Sequence, residues 1–189
     1  MPIQFTDPAG PEDLVNHDPL ALLVAMLLDQ QVPIEWAFIG PARLAGRVSR
    51  FDAAHLASID PDELLGAAVD KPAIHRYPAV MARRIQALCV HLVAEHGGDA
   101  ASIWIGVDDA VTVFDRLQSL PGFGQEKCQI TLAVLAKRFG YRPRGWEALA
   151  GVFADDQPRS VADIGGPDDL ARLRSWRKEQ KALGKTKTD

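Results

Sequence analysis

Cysteine is nearly absent from this 189-residue chain, which has only Cys89 and Cys128. Two thiols so far apart offer no metal or iron–sulfur spacing, and no cysteine follows Cys128. Both fall in expected helices, where a buried apolar thiol is the ordinary outcome. A disulfide between them is not expected in a reducing cytosol. Long apolar runs are missing as well. The most apolar body, LALLVAMLL from Leu20 to Leu28, falls short of the ~18 residues of a membrane span. The N-terminus (MPIQFTDPAGPEDL) is acidic and broken by Pro and Gly, unlike a signal peptide. A cytoplasmic location without membrane contact is therefore expected. Alternating runs of Val, Ile and Thr are scarce and Ala/Leu periodicity is frequent, so the fold class reads as all-α. An excess of positive charge is also lacking, with 21 Lys and Arg against 25 Asp and Glu and a net charge of -4. That balance speaks against nucleic acid at first sight. The charge is uneven, however. Residues 1–70 hold eleven acids and three bases, and residues 71–189 hold fourteen and eighteen.

What is present is enough apolar material, 47% of residues, for one domain or two small lobes folded together. Asp18-Pro19 has the pattern of a helix start. The helix running to about Gln31 is apolar all round and so belongs in a core. A second helix is expected over 33–47, with a break at Gly40-Pro41, and a short one from about Pro61 to Ala68. A long helix over 76–96 puts Val80, Ile85, Leu88, Leu92 and Val93 on its apolar side. Helices over 108–118 and 125–139 flank a turn, Leu120-Pro121-Gly122-Phe123-Gly124. A helical turn over 146–150, a loop over 155–166 and a last helix over 167–182 follow. The organisation is an N-terminal segment (1–17), a helical domain (18–150) and a loop with a basic C-terminal helix (151–189). That helix carries Arg172, Arg174, Arg177, Lys178 and Lys181, a pattern that is usually a solvated face.

The turn over 120–124 is the most informative stretch. Glycine accepts positive φ and blocks nothing that approaches. A helix starting after Gly124 presents free N–H groups, which suit a phosphate. The plain reading is an αα-turn capped by glycines. The sequence L-P-G-F-G resembles the hairpin of the helix-hairpin-helix motif. Two landmarks precede it: a buried helix ending in Gln30-Gln31, and Ile74-His75-Arg76-Tyr77 followed by Ala82-Arg83-Arg84-Ile85. In that order they resemble the helix-hairpin-helix (HhH-GPD) DNA glycosylase superfamily over roughly residues 14–147.

The resemblance implies a two-lobed all-α fold with double-stranded DNA in the cleft. It implies that Gln31 fills the gap left by an extruded nucleotide, a gap worth a few kcal/mol of stacking. It places phosphate contacts at Leu120, Pro121, Gly122, Phe123, Gly124, Gln125 and Lys127, with Arg76 as a further contact. It places a monovalent cation on the main-chain carbonyls of Gln118, Leu120 and Phe123, which would let an acidic protein hold DNA. The family's lyase lysine, two residues after the last glycine, is here Glu126. Lys127 is one step, about 100°, further round the helix, so lyase chemistry is not expected. The family's essential Asp falls on Glu147 when Gly140 is matched to the glycine closing the family's helix. Glu126 is a second candidate carboxylate, and Asp155 and Asp156 are weaker ones. No iron–sulfur cluster is expected. The expected activity is monofunctional: a monomer that hydrolyses the N-glycosidic bond of a damaged or mispaired base. The missing Asp leaves open a non-catalytic binder of damaged DNA, and a hairpin without DNA contacts would leave only a helical interaction module.

Overall fold

A computed structural model describes residues 2–189. The described residues form helices joined by short loops, and the nearest approach to a sheet is one isolated bridge between Asp109 and Arg144. α1 (Leu14–His17) leads into α2 (Pro19–Leu28). Asp18 caps α2 by accepting from the N–H groups of Leu20 and Ala21. From Leu20 to Leu28 every residue of α2 is buried, as expected for a helix apolar on all sides. The helix stops at Leu28, three residues short of the expected end, because its next residues are Asp29, Gln30 and Gln31.

α3 (Ile34–Ala45) packs along α2. The break expected at Gly40-Pro41 does not occur; Pro41 lies inside a continuous helix. A proline there removes one backbone hydrogen bond and costs about 3 kcal/mol. α3 crosses α2 closely there: a Cβ on Gly40 would lie 2.4 Å from Leu28 Cδ1, so any larger residue would force the Leu28 side chain to shift.

α4 (Ala53–Ser58), a helix the periodicity did not reveal, and α5 (Pro61–Val69) are capped by Asp52 and Asp60. Both pack on α6 (Pro78–His96). The buried side of α6 consists of Met81, Ala82, Ile85, Leu88, Cys89 and Leu92, while Val80 and Val93 are exposed. The expected apolar stripe is therefore shifted, because Val80 faces a groove and not the core.

After a 3₁₀ turn over Ala100–Ile103 come α7 (Ala110–Ser119) and α8 (Gln125–Lys137). α8 is buried from Ile130 to Ala136, and α9 (Trp146–Ala150) and further 3₁₀ turns pack around it. α10 (Pro167–Ala182) closes the chain with the expected bounds. The helices share one contiguous apolar core. No helix among the described residues is long and apolar enough to cross a membrane.

Candidate nucleic-acid interface

Three chain segments converge at the end of α2. The first is the Asp29–Gln31 loop. The backbone of Gln31 has φ 56°, the single positive value among described non-glycine residues, a conformation costing about 1–2 kcal/mol. Such strain persists only where the surroundings impose it, and here they do. The buried His75 lies 2.9 Å from the Gln30 carbonyl through Nε2. Its Nδ1 accepts from the Tyr77 N–H, so Nε2 carries the proton and donates to that carbonyl. The Gln30 side chain donates to the Leu27 carbonyl and accepts from Arg84 at 2.8 Å. Gln30 is thus tied down, while Gln31 is exposed beside it.

The second segment is the turn over 120–124. Leu120 and Phe123 are buried, and Gly122, Gly124, Gln125 and Glu126 are exposed. The two glycines differ. Gly122 has φ 86°, and a Cβ there would meet Leu27 Cδ1 at 2.6 Å, so the fold itself requires glycine. Gly124 has an ordinary φ of −79°, and a Cβ there would meet nothing within 4 Å. Nothing inside the protein demands glycine at 124. No side chain caps α8, so its first N–H groups lack a partner from a capping residue.

The third segment is α6. Val80, Arg83, Arg84 and Ala87 form a groove of about 710 Å³ with Gln30 and Pro121–Gly124. Arginine side chains and the open start of α8 thus line one surface.

A second cleft, of about 540 Å³, begins on the other side of Gln30. Asp29, Gln31, Glu35 and Glu126 meet Arg174, Arg177 and Lys187 there. Lys187 pairs with Glu126 at 2.8 Å, and Arg174 pairs with Glu35. Asp29 is desolvated, and this raises its pKa despite the cations of Lys127, Arg177 and Lys187.

The structure divides the expected site residues. Gln31, Gly122, Gly124, Gln125, Pro121 and Glu126 converge around the α2 end. Leu120 and Phe123 turn their side chains into the core and can offer only backbone. Lys127 departs from the expected phosphate contact: its ammonium turns inward and donates to the carbonyls of Met26 and Leu27. Its pKa is pushed down to about 8 by burial, opposed by the Asp29 charge. Arg76 stacks over the exposed Tyr77 ring at 5.3 Å. Glu147 is exposed in the first turn of α9 and borders neither cleft beside Gln30. Among the carbonyls expected for a cation, that of Leu120 accepts from the Phe123 N–H at 3.1 Å, and that of Phe123 faces the Cys128 thiol at 3.8 Å.

Asp29 and the inward role of Lys127 were not anticipated. One signal was present: an acid directly after a wholly apolar helix sits at the negative end of the helix dipole, an unfavourable place unless a cation lies close.

Solved structures that resemble this chain include two complexes of endonuclease III with DNA. One is endonuclease III in a non-covalent complex with DNA, with a TM-score of 0.48 and 19% identity over 93% of this chain and 74% of that one. The other is endonuclease III in a trapped covalent DNA intermediate with an estranged adenine, with a TM-score of 0.46 and 18% identity over 91% and 72%. Both are distant likenesses. No family model and no curated protein matches the sequence.

Proposed function

We propose that this protein binds double-stranded DNA and acts in base excision repair as a monofunctional DNA N-glycosylase. The observation that carries the reading is the groove in which Arg83, Arg84 and the Gly122–Gly124 turn flank Gln30. The start of α8 and the two arginines supply phosphate contacts from amide dipoles and localised charge. An acidic protein needs no broad basic face to bind in this way. A monovalent cation held by the Gln118, Leu120 and Phe123 carbonyls adds positive potential at the same turn. Arg76 is a further phosphate contact beside Tyr77.

Gln31 is the wedge. It is exposed on a strained, pinned backbone, the arrangement needed by a side chain that enters the base stack and must not yield. The extruded base enters the cleft bordered by Asp29, Gln31 and Glu126. Rupture of the N-glycosidic bond leaves positive charge on the sugar, and a nearby carboxylate stabilises it and orients the attacking water. Glu126 is the better placed of the two candidate acids, because it lines this cleft and Glu147 does not. Its pairing with Lys187 must open for it to act. Lys127, the lysine of the α8 first turn, is committed to backbone carbonyls and not placed for a Schiff base, so the expected product is an abasic site.

The exposed position of Glu147 favours a second reading, a non-catalytic binder of damaged or abasic DNA. Duplexes carrying uracil, hypoxanthine, alkylated adenine, or adenine opposite oxidised guanine separate the two when incubated with the protein and then treated with alkali. The glycosylase reading expects strand cleavage on at least one lesion and its loss in Glu126→Gln. Tight binding to an abasic analogue with no cleavage on any lesion would select the binder. Absence of salt-sensitive duplex binding would remove both and leave a helical interaction module.

A further inference from the structure

The wedge loop and the hairpin lie about a hundred residues apart in sequence, yet one side chain joins them. Lys127, in the first turn of α8, sends its ammonium to the carbonyls of Met26 and Leu27 in the last turn of α2, the Leu27 contact being 3.3 Å. Those carbonyls belong to the orphaned, electronegative end of a helix. The same ammonium lies 5.8 Å from the centre of the ring of Phe123, which with Leu120 is buried in the hairpin. Gly122 presses on Leu27 from the hairpin side. Leu27 is four residues before Gln31, and its carbonyl also receives the Gln30 side chain.

We propose that Lys127 is a positioning residue whose ammonium locks the phosphate-gripping hairpin to the wedge loop, so that docking of the turn on a DNA backbone presents Gln31 to the base stack. The lock rests on the DNA reading for its use, but its existence can be tested without DNA. Two pinned segments form a single body only if the joint between them is rigid. A half-buried cation holding two carbonyls is directional in a way that an apolar contact, free to slide, is not. Neutralising the amine weakens its attraction to the helix end and frees the loop.

Several charged and titratable groups face the ammonium. Asp29 at the α2 end favours its charge, Arg84 of α6 and Lys187 of the tail oppose it, and Cys128 is its neighbour on α8. The Cys128 thiol, pushed up to about 11, stays neutral throughout the relevant range. With the Lys127 pKa near 8, the lock is closed at pH 7 and opens as pH rises past 8. Fold stability moves the other way. The pKa is lower in the folded chain than in the unfolded one, so the unfolded state holds more protons between about 8 and 10.5. In that window this group's contribution to stability rises with pH. Loss of wedging above pH 8 is therefore separable from unfolding.

The first experiment is hydrogen exchange on the free protein. Lys127→Met is expected to speed exchange across residues 29–32 and 121–124 at least tenfold, with Lys127→Arg close to wild type. Unchanged protection of both segments in Lys127→Met would overturn the lock. Should Lys127→Met fail to fold, wild type and Lys127→Arg decide it: protection of 29–32, corrected for intrinsic exchange, should fall through pH 8 in wild type and stay flat in Lys127→Arg, which remains charged. Equal profiles would overturn the proposal.

The second experiment measures 2-aminopurine fluorescence in a duplex, alongside anisotropy for binding. Base extrusion by wild type should drop at least fivefold from pH 7 to pH 9, while duplex affinity changes less than twofold. Lys127→Arg should extrude equally at both. Extrusion undiminished in Lys127→Met defeats the lock alone. A wild-type protein that shows the exchange coupling but never binds DNA defeats the functional reading alone.

Discussion

The two borders of the cleft at Gln30–Gln31 are built differently. On the hairpin side, the buried side chains of Leu27 and Phe123 meet the backbone of Gly122 and the half-buried Lys127, whose ammonium turns inward to the α2 carbonyls. On the C-terminal side, α10 and the tail reach the cleft through Arg174–Glu35 and Lys187–Glu126, pairs whose side chains remain substantially wet. Desolvated contacts are costly to break because nothing replaces them. Wet ion pairs exchange a partner for water at little cost, typically below 1 kcal/mol. The hairpin border is therefore the fixed frame, and the C-terminal border is the part that can yield.

The sharpest way to break this comparison is Gly122→Ala. A β-carbon at φ 86° strained against the fully buried Leu27 should cost about 2 kcal/mol, roughly 4–8 °C in Tm for a chain of this size. A melting curve like that of wild type would show that the frame is softer than described. Gly124→Ala comes next and separates fold from function at the same turn. It meets nothing inside the protein, so Tm should stay within a degree or so, while duplex affinity should weaken about tenfold, or about 1.4 kcal/mol. An unaltered Kd would move the phosphate contact away from the turn. The smallest effect is expected at the wet border. Arg174→Ala and Lys187→Ala should each change stability by about 0.5 kcal/mol or less, measured by denaturant titration, and 1 M salt should erase even that. A loss of several kcal/mol in either variant would make the C-terminal border part of the frame.

Much of the fold was legible in the chain because its signals are local. Asp18-Pro19, Asp60-Pro61 and Pro167 mark helix starts where they were expected, and the uniform apolarity of 20–28 marks a buried helix. Signals that depend on partners were misread. Gly40-Pro41 reads as a break until α2 is known to lie against it. Val80 reads as core until α6 is rotated by the helices packed on it. α4 has too few residues for a period to show.

The candidate site followed the same division. The hairpin and the Gln30–Gln31 pair were visible as short strings whose backbone demands are intrinsic to glycine and to a helix end. Their meeting place was not visible, nor was the direction of a long side chain. Lys127 was expected at a phosphate, but lies against the end of α2, because a flexible ammonium seeks the nearest concentration of negative potential. Glu147 was the first candidate acid in the sequence and Glu126 a weaker one, and only packing placed Glu126 at the cleft and Glu147 on the exposed first turn of α9.

By itself, then, the sequence determined the all-α class, most helix starts and a turn shaped for close backbone approach. These follow from properties each residue carries anywhere: capping, φ preference and apolar periodicity. The tertiary structure alone decided that Gln31 stands exposed while Gln30 is tied, that Gly122 serves the fold while a side chain at 124 would meet nothing inside the protein, and that Lys127 joins the turn to the end of α2. Each of these depends on which atoms lie within a few ångströms across a hundred residues of chain, and no local preference encodes that.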